Sequence, residues 1–311
     1  MLILVDGPDC VGKSTFVQNL VNRLAVRAYP MKFSPVKIEL LHKGPPESHP
    51  LDEYELPLVS YRPDVGHVVV ADRWHLGELV YPGIFDRETQ MTPAVFRHIE
   101  LFLASRGAVV VLLDATTEQI SRCIEQRGDD LVTYRHVNDI RHGFFTASSR
   151  SMLPLVHLNA DDARDPETVE YVISEADHHA QACRSLNDFV TYVGPRWPQV
   201  LLVGDVRHKV ELGDQRPAFM PYASTSGLYL LETLRDVDDR YGLVNACDVD
   251  NVHELLPRLG NIPVVTLGTR AATELRGECR AVPHPQYVRR FHHRRANDYR
   301  DAILGVRTWR P

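Results

Sequence analysis

The stretch LILVDGPDCVGKST, Leu2 to Thr15, constrains the chain more than any other. A short apolar run ends in an acid. Gly7 and Gly12 then bracket four residues ahead of Lys13-Ser14. The pattern GxxxxGK[ST] is met at every required place. Its glycines let backbone N–H groups turn inward onto phosphate oxygens, its lysine sets a point charge at the β and γ positions, and its hydroxyl suits a magnesium ion. Apolar residues at Phe16, Leu20, Val21 and Leu24 predict a helix from Ser14 to Leu24, whose positive end points at the same phosphates. A strand, loop and helix in that order predict an α/β fold, doubly wound on a parallel sheet. Gly7, Pro8, Asp9, Cys10, Val11, Gly12, Lys13, Ser14 and Thr15 are expected to cradle a nucleoside triphosphate, ATP, with Ser14 on the Mg²⁺ ion.

The rest of the chain repeats the alternation. HVVVAD (His67 to Asp72) and AVVVLLD (Ala108 to Asp114) are continuous β-branched runs, as expected of strands buried on both faces of a parallel sheet. Periodicity predicts helices over Pro93 to Ser105, Thr117 to Arg127, Asn138 to Ser148 and Glu167 to Leu186, with a last strand at Leu153 to Asn159. VGPRWPQ, Val193 to Gln199, reads as a linker. Beyond it, VLLVGD (Val200 to Asp205), GLVNA (Gly242 to Ala246) and VVTLG (Val264 to Gly268) read as strands. A helix is predicted after Ser226-Gly227 and another over the basic tail Val288 to Leu304. A length of 311 residues implies two domains, expected at 1–190 and 191–311, the second a smaller α/β domain.

Charge and cysteine usage narrow the function classes. Residues 192–311 carry 17 Lys+Arg against 14 Asp+Glu, and the residues before them 18 against 27. Only the later part has a balance friendly to a polyanion such as DNA. The cysteines Cys10, Cys123, Cys183, Cys247 and Cys279 are scattered and never in CxxC spacing. That argues against a disulfide framework or zinc site and for a reducing cytoplasm. No apolar run approaches the roughly 20 residues that cross a bilayer, so no membrane partner is expected.

A second cluster stands just past a predicted strand. Asp72-Arg73 in VVVADRWHLGELVY falls where open parallel sheets line their ligand crevice. An acid there can orient Mg²⁺ or accept a proton, and an arginine there can fork onto an acceptor phosphate. With these residues, the first 185 or so resemble the thymidylate kinase family of P-loop nucleoside monophosphate kinases. Asp9 matches the loop acid that reaches the acceptor sugar. Asp72-Arg73-Trp74 matches the DR[YH] signature, and Tyr81 its downstream aromatic. VVVLLDATTEQISRCIEQRGDD (Val109 to Asp130) resembles the family's strand, helix and lid, which makes Arg122 and Arg127 candidates for stabilising charge on the moving phosphoryl group. Arg135 and Arg141 are further candidates of the same kind. Cys10 stands where some members carry a loop arginine, so the lid must supply it. Asp72 lies only 59 positions after Lys13, and the Pro-rich HKGPPESHPLDEYELPL (His42 to Leu58) replaces the family's base-reading helix. Tyr81-Pro82 replaces its Tyr-Gln. The kinase chemistry therefore carries over better than the thymidylate specificity. HKGPP with DRWHLGE is typical of phage-encoded relatives, which implies a host cytoplasm. His75 and Glu78 could face the acceptor or be polar residues on a helix turn.

The later motifs resemble the uracil-DNA glycosylase superfamily in order: VLLVGDVRHKVEL (200 to 212), STSGLYLLETL, VNA, LGTRA and VPHPQYVRRF. The resemblance implies a base pocket with Asp205 on the water-positioning loop, Asn245 reading the base and His284 supporting the leaving base. Val206-Arg207 stands in place of that loop's Pro-Gly, and Gln286 in place of a serine, which favours base or DNA binding over cleavage. RRFHHRR, Arg289 to Arg295, could grip DNA phosphates or be a solvated helix face.

These readings converge on an ATP- and Mg²⁺-dependent phosphotransferase with catalytic Asp9, Lys13, Asp72, Arg73, Arg122 and Arg127 and metal-binding Ser14 and Asp72. The acceptor is a free deoxypyrimidine monophosphate or a hydroxymethyl group on a modified uracil in DNA. A third reading makes the second domain the active part, a DNA glycosylase-like protein gated by nucleotide. The sequence leaves the oligomeric state open.

Overall fold

The structure, a computed structural model, describes residues 1–28, 37–43, 46–61, 66–128, 132–186, 189, 191–204, 217–222, 225–237, 241–245, 249–275 and 279–309. Its elements in chain order begin β1 (Leu2–Asp6), α1 (Lys13–Ala28), β2 (Lys37–His42), α2 (Pro50–Tyr54), β3 (His67–Asp72), α3 (Gly77–Ile84) and α4 (Pro93–Ser105). There follow β4 (Ala108–Asp114), α5 (Thr117–Arg127), α6 (Val137–Arg150), β5 (Leu155–Asn159) and α7 (Pro166–Cys183). The last group is β6 (Val200–Gly204), α8 (Ser226–Thr233), β7 (Tyr241–Asn245), α9 (Val249–Arg258), β8 (Val264–Leu267), α10 (Thr269–Leu275), β9 (Cys279–Val282), α11 (Pro285–Phe291) and α12 (Ala296–Leu304). They fall into two compact units. One comprises Met1–Tyr54, Ser60–Met91 and Arg106–Arg184; the other comprises Glu55–Val59, Thr92–Ser105 and Ser185–Pro311.

The first unit is built on a five-stranded sheet in the order β2-β3-β1-β4-β5, parallel throughout. β1 and β3 are buried at every residue, β4 at all but Asp114, as their unbroken β-branched runs require when both faces are covered. α1 follows β1 because its apolar residues recur at helical spacing. Phe16, Val17, Leu20 and Leu24 are all buried. α5 is closed at both ends. Thr116 and Gln119 form a capping box, and Gly128 ends the helix at φ +68°. β2 was not foreseen. It is an edge strand of mixed exposure, KIELLH, so it lacks the apolar run that marks its neighbours.

The second unit holds a four-stranded parallel sheet in the order β7-β6-β8-β9. Leu201, Val203, Val244, Val252, Leu255 and Val264 are central to its core. α4 belongs here although the chain places it between β3 and β4 of the other sheet; it packs on α8. Its apolar residues are not confined to one stripe, and even His98, Glu100 and Ser105 are buried. Fully buried His98 reaches the Glu55 carboxylate with Nδ1 (2.6 Å) and the Ala218 carbonyl with Nε2 (2.7 Å). Both ring nitrogens face acceptors, so the imidazole is held as a cation. Burial opposes the charge and Glu55 and Ala218 favour it, with a net raised pKa.

Several expectations need correction. The stretch Val193 to Gln199 is not a free linker, because Val193 pairs with Leu243 in an antiparallel bridge and the Tyr192 hydroxyl donates to the Pro195 carbonyl. The tail is not one helix from Val288 to Leu304. Helical geometry fails at His292 (φ −137°), and a short 3₁₀ turn, His293–Arg295, separates α11 from α12. β9, a short and largely exposed edge strand, was also missed. Asp205, Val206, Arg207, Asp129 and Asp130 lie outside the described residues. Among the described residues no helix is long and apolar enough to cross a membrane.

Candidate functional site

The loop between β1 and α1 is shaped by backbone that favours glycine. Gly7 has φ +136° and Gly12 φ +87°. A Cβ on Gly7 would stand 2.1 Å from the Leu113 carbonyl oxygen, so the loop crosses the end of β4 at a distance only glycine allows. Lys13 opens α1 and is buried. Its Nζ donates to the carbonyls of Gly7 (2.8 Å) and Pro8 (2.5 Å), folding the ammonium into the concave side of the loop. Burial lowers its pKa to about 8, with Arg73 adding to the shift and Asp9, Asp6 and Asp72 opposing it.

β3 brings the second motif alongside, since its parallel register on β1 pairs Asp72 with Val5. Ser14 Oγ donates to Asp72 Oδ2 at 3.1 Å. The other oxygen of Asp72, Oδ1, is buried and has no hydrogen-bond partner among the described residues. His42, at the end of β2, lies 3.5 Å from Asp72 Oδ2. Arg73 adopts φ +66°, a conformation that costs energy for a side chain of its size. Its amide donates to the Val5 carbonyl and its guanidinium to Asp9 Oδ1 at 2.7 Å. The Tyr81 hydroxyl donates to Asp9 Oδ2 at 3.1 Å, and burial raises that phenol's pKa. Asp9, Lys13, Ser14, Asp72 and Arg73 thus form one cluster at the carboxyl ends of β1 and β3.

Asp6 was not foreseen as part of this cluster. It is buried and accepts from the amides of Gly7 (3.2 Å) and Trp74 (3.3 Å), so it joins the two motifs from beneath. Burial raises its pKa to about 6, against the pull of Lys13 and His75. An acid ending an apolar strand is the signal that could have found it, as it found Asp72.

The lid candidates divide. Arg122 and Arg127 are exposed on α5, and Arg127 acts electrostatically on Cys10 in the loop. Arg141 is held to Asp114 by two bonds (2.9 and 2.7 Å) and to Thr117, so it ties α6 to the start of α5. Arg135 lies over the Tyr134 ring. His75 is fully buried. Glu78 is buried with one oxygen on Arg87 and the other on Thr89, each at 2.5 Å, which is the role of a structural anchor.

In the second unit, Asn245 is buried at the carboxyl end of β7, beside Gly204 at the end of β6. A Cβ on Gly204 would stand 2.4 Å from the Phe219 ring and 3.2 Å from Asn245 Oδ1. Phe219, at φ +56°, therefore lays its ring over the strand end next to the amide. His284 caps α11, its Nδ1 accepting from the Gln286 amide at 3.2 Å. Phe219 was missed by sequence reading, because nothing in its neighbours' types marks the approach. On the surface, Tyr287 and Phe291 are exposed and in contact, with Arg289, Arg290 and Arg294 in the adjoining chain.

Similarity to solved structures is distant. The YorR protein of Bacillus subtilis, solved in complex with phosphorylated GDP, is 24% identical over 58% of this chain and 98% of that chain, with a TM-score of 0.46. Deoxyadenosine kinase from M. mycoides, with bound dCTP, is 15% identical over 57% of this chain and 100% of that chain, at 0.35. Polyphosphate Kinase 2 from Arthrobacter aurescens TC1 is 14% identical over 60% and 68%, at 0.38. No protein-family model matches the chain, and no curated protein matches it.

Proposed function

We propose that this chain is an ATP- and Mg²⁺-dependent phosphotransferase, similar to thymidylate kinases, that moves the terminal phosphoryl group of ATP onto a deoxypyrimidine nucleotide. One observation carries the reading: the phosphate loop and the end of β3 are joined by two direct bonds, Ser14 to Asp72 and Asp9 to Arg73. A phosphate loop alone accounts for a donor. An acid and an arginine fixed against it provide an acceptor end within reach of the donor's terminal phosphate.

Each residue then has a role. Loop amides and Lys13 bind the β and γ phosphates. Magnesium, when bound, neutralises charge on those oxygens, and Ser14 Oγ and the Asp72 carboxylate are the groups that would hold it. The buried Oδ1 of Asp72, without a hydrogen-bond partner among the described residues, fits a hard cation that takes oxygen ligands. Arg73 is oriented by Asp9 and offers its remaining donors to an acceptor phosphate. Arg122 or Arg127 approaches from α5 as charge develops on the transferred group.

A second acceptor, the hydroxymethyl group of a modified uracil in DNA, is favoured by the second unit. The Phe219 ring beside the Asn245 amide suits a planar base, and exposed Tyr287 and Phe291 among arginines suit a nucleic-acid strand. The chemistry differs between the two acceptors. A monophosphate oxygen is already anionic, whereas an alcohol must lose a proton to a carboxylate such as Asp9 or Asp72. The third reading, base excision, rests on Asp205 and predicts release of a base from DNA that Asp205→Asn abolishes.

Labelled ATP offered with dTMP, dUMP, hydroxymethyl-dUMP and DNA containing each base tests these readings together. Label on mononucleotides alone supports the first reading and removes the second. Label on DNA alone does the reverse. No transfer to any of them refutes the phosphotransferase.

A further inference from the structure

The end of the chain closes a cleft in the second unit that phosphoryl transfer does not use. α12 stops at Gly305, in the left-handed region at φ +79°. The amides of Val306 (2.8 Å) and Arg307 (3.3 Å) then both return to the Asp301 carbonyl, so the chain doubles back on its own helix. Trp309 comes to rest near the start of α12. Its ring meets Tyr299 and His292 edge-on, at 5.6 and 5.8 Å between centroids, and the Arg295 guanidinium lies over it at 4.7 Å. Arg295 is also tied through Nε to Asp298 Oδ2 at 3.0 Å, which leaves its two terminal nitrogens to donate. These three residues, with Arg307 and Thr308, line a cleft of about 370 Å³. That volume is at the small end of the range for sites that hold one small group.

What the cleft accepts follows from its charge and from the rings beside it. From Val288 to Trp309 the chain holds six arginines against two aspartates. Both aspartates are engaged, Asp298 by Arg295 and Asp301 by Arg300 at 3.7 Å. The other four arginines, exposed Arg307 among them, find no further carboxylate in that stretch. The ring contacts continue outward from the cleft. His292 also meets Tyr287 at 5.3 Å, and Tyr287 meets Phe291 at 5.1 Å, and both of these last rings are exposed. Two guanidinium forks suit a phosphate, and exposed rings suit unstacked bases. A free phosphate has no use for the rings, and a duplex keeps its base faces stacked. A single strand presents both. We propose that this cleft is a binding site for a phosphodiester of single-stranded DNA, with Arg295 and Arg307 on the phosphate and Tyr287 and Phe291 against neighbouring bases. The choice of DNA rests on the reading of a DNA acceptor for the second unit.

The test titrates the full chain into a fluorescein-labelled oligothymidylate of about 20 nucleotides and follows anisotropy, without ATP or Mg²⁺, between about 50 and 200 mM salt. Arg307→Ala is expected to weaken binding about tenfold and to lower the slope of log affinity against log salt by about 0.7, the share of one phosphate contact on a single strand. Phe291→Ala is expected to weaken binding about tenfold with the slope unchanged, because a stacked ring releases no counterion. Arg150→Ala makes the same change of charge at the exposed end of α6 in the first unit and is expected to match the wild type. All three side chains are exposed, so none of these variants puts the fold at stake. No binding by the wild type, no effect of Arg307→Ala, or an equal effect of Arg150→Ala overturns the cleft. An unchanged Phe291→Ala overturns the placement of bases on the rings. Tighter binding of a duplex or of a ribonucleotide strand of equal length overturns the choice of single-stranded DNA. The expected pattern in a chain that transfers phosphoryl to no acceptor supports the cleft and refutes the phosphotransferase. Transfer to mononucleotides by a chain that binds no strand refutes the cleft alone.

Discussion

Lys13 makes a prediction in which two observables move in opposite directions. Burial holds its pKa near 8, below the ordinary 10.5 that it regains on unfolding. Between those values the unfolded chain binds more protons than the native one, so native stability rises with pH across that window. The displacement of about 2.5 units corresponds to about 3 kcal/mol over the full window. Triphosphate affinity depends on the charged form, so it falls over the same interval, by up to about tenfold per pH unit until the lysine of the bound complex also titrates. The assay is urea unfolding together with ATP titration at pH 7.5, 8.5 and 9.5, on the wild type and Lys13→Met. Subtracting the variant removes the contribution of tyrosines and other lysines. The expected difference is a stability increment of about 1 kcal/mol per unit accompanied by falling affinity. Parallel wild-type and variant profiles in either observable would refute the reasoning.

Other perturbations test other parts. Gly7→Ala drives a methyl group to 2.1 Å from the Leu113 carbonyl at φ +136°, so it should cost about 2–4 kcal/mol in unfolding free energy and abolish ATP binding in calorimetry. His98→Ala leaves Glu55 buried without its cation, which should destabilise the chain by about 3–5 kcal/mol in denaturant titration. Because the folded pKa of His98 is raised, its contribution is complete below the unfolded value of about 6.5 and is lost as pH rises through the folded value. Arg127→Ala should lower kcat by about a hundredfold or more with ATP affinity unchanged. Arg141→Ala, whose partner is Asp114, should cost about 1 kcal/mol of stability and leave kcat within about threefold.

What the sequence disclosed follows from burial. β1, β3 and β4 are covered on both faces and read as apolar runs. β2 and β9 are edges whose Lys37, Glu39 and Arg280 erase that signal. Asp9, Lys13, Ser14, Asp72 and Arg73 were legible because a phosphate loop and a strand-end acid have local patterns, and the sheet register alone then brings them together. Asp6 shared that signal and was overlooked. The Phe219 ring over Gly204 and the diversion of Arg141 to Asp114 depend on contacts between segments far apart in sequence. Spacing carries no trace of them. α4 has a clear helical pattern, yet its packing on α8 and the bonds from His98 to Glu55 and Ala218 join segments that no local motif connects.

The central claim is that donor and acceptor ends are separate and meet at the Asp9–Arg73 bond. Measuring ATP affinity and acceptor-dependent transfer in Arg73→Ala tests it most directly. The account predicts an ATP dissociation constant within about threefold of wild type and transfer reduced by about a hundredfold or more, because the loss falls on acceptor phosphate binding. Equal losses in both would place Arg73 in the donor site and contradict the account, and so would full retention of both.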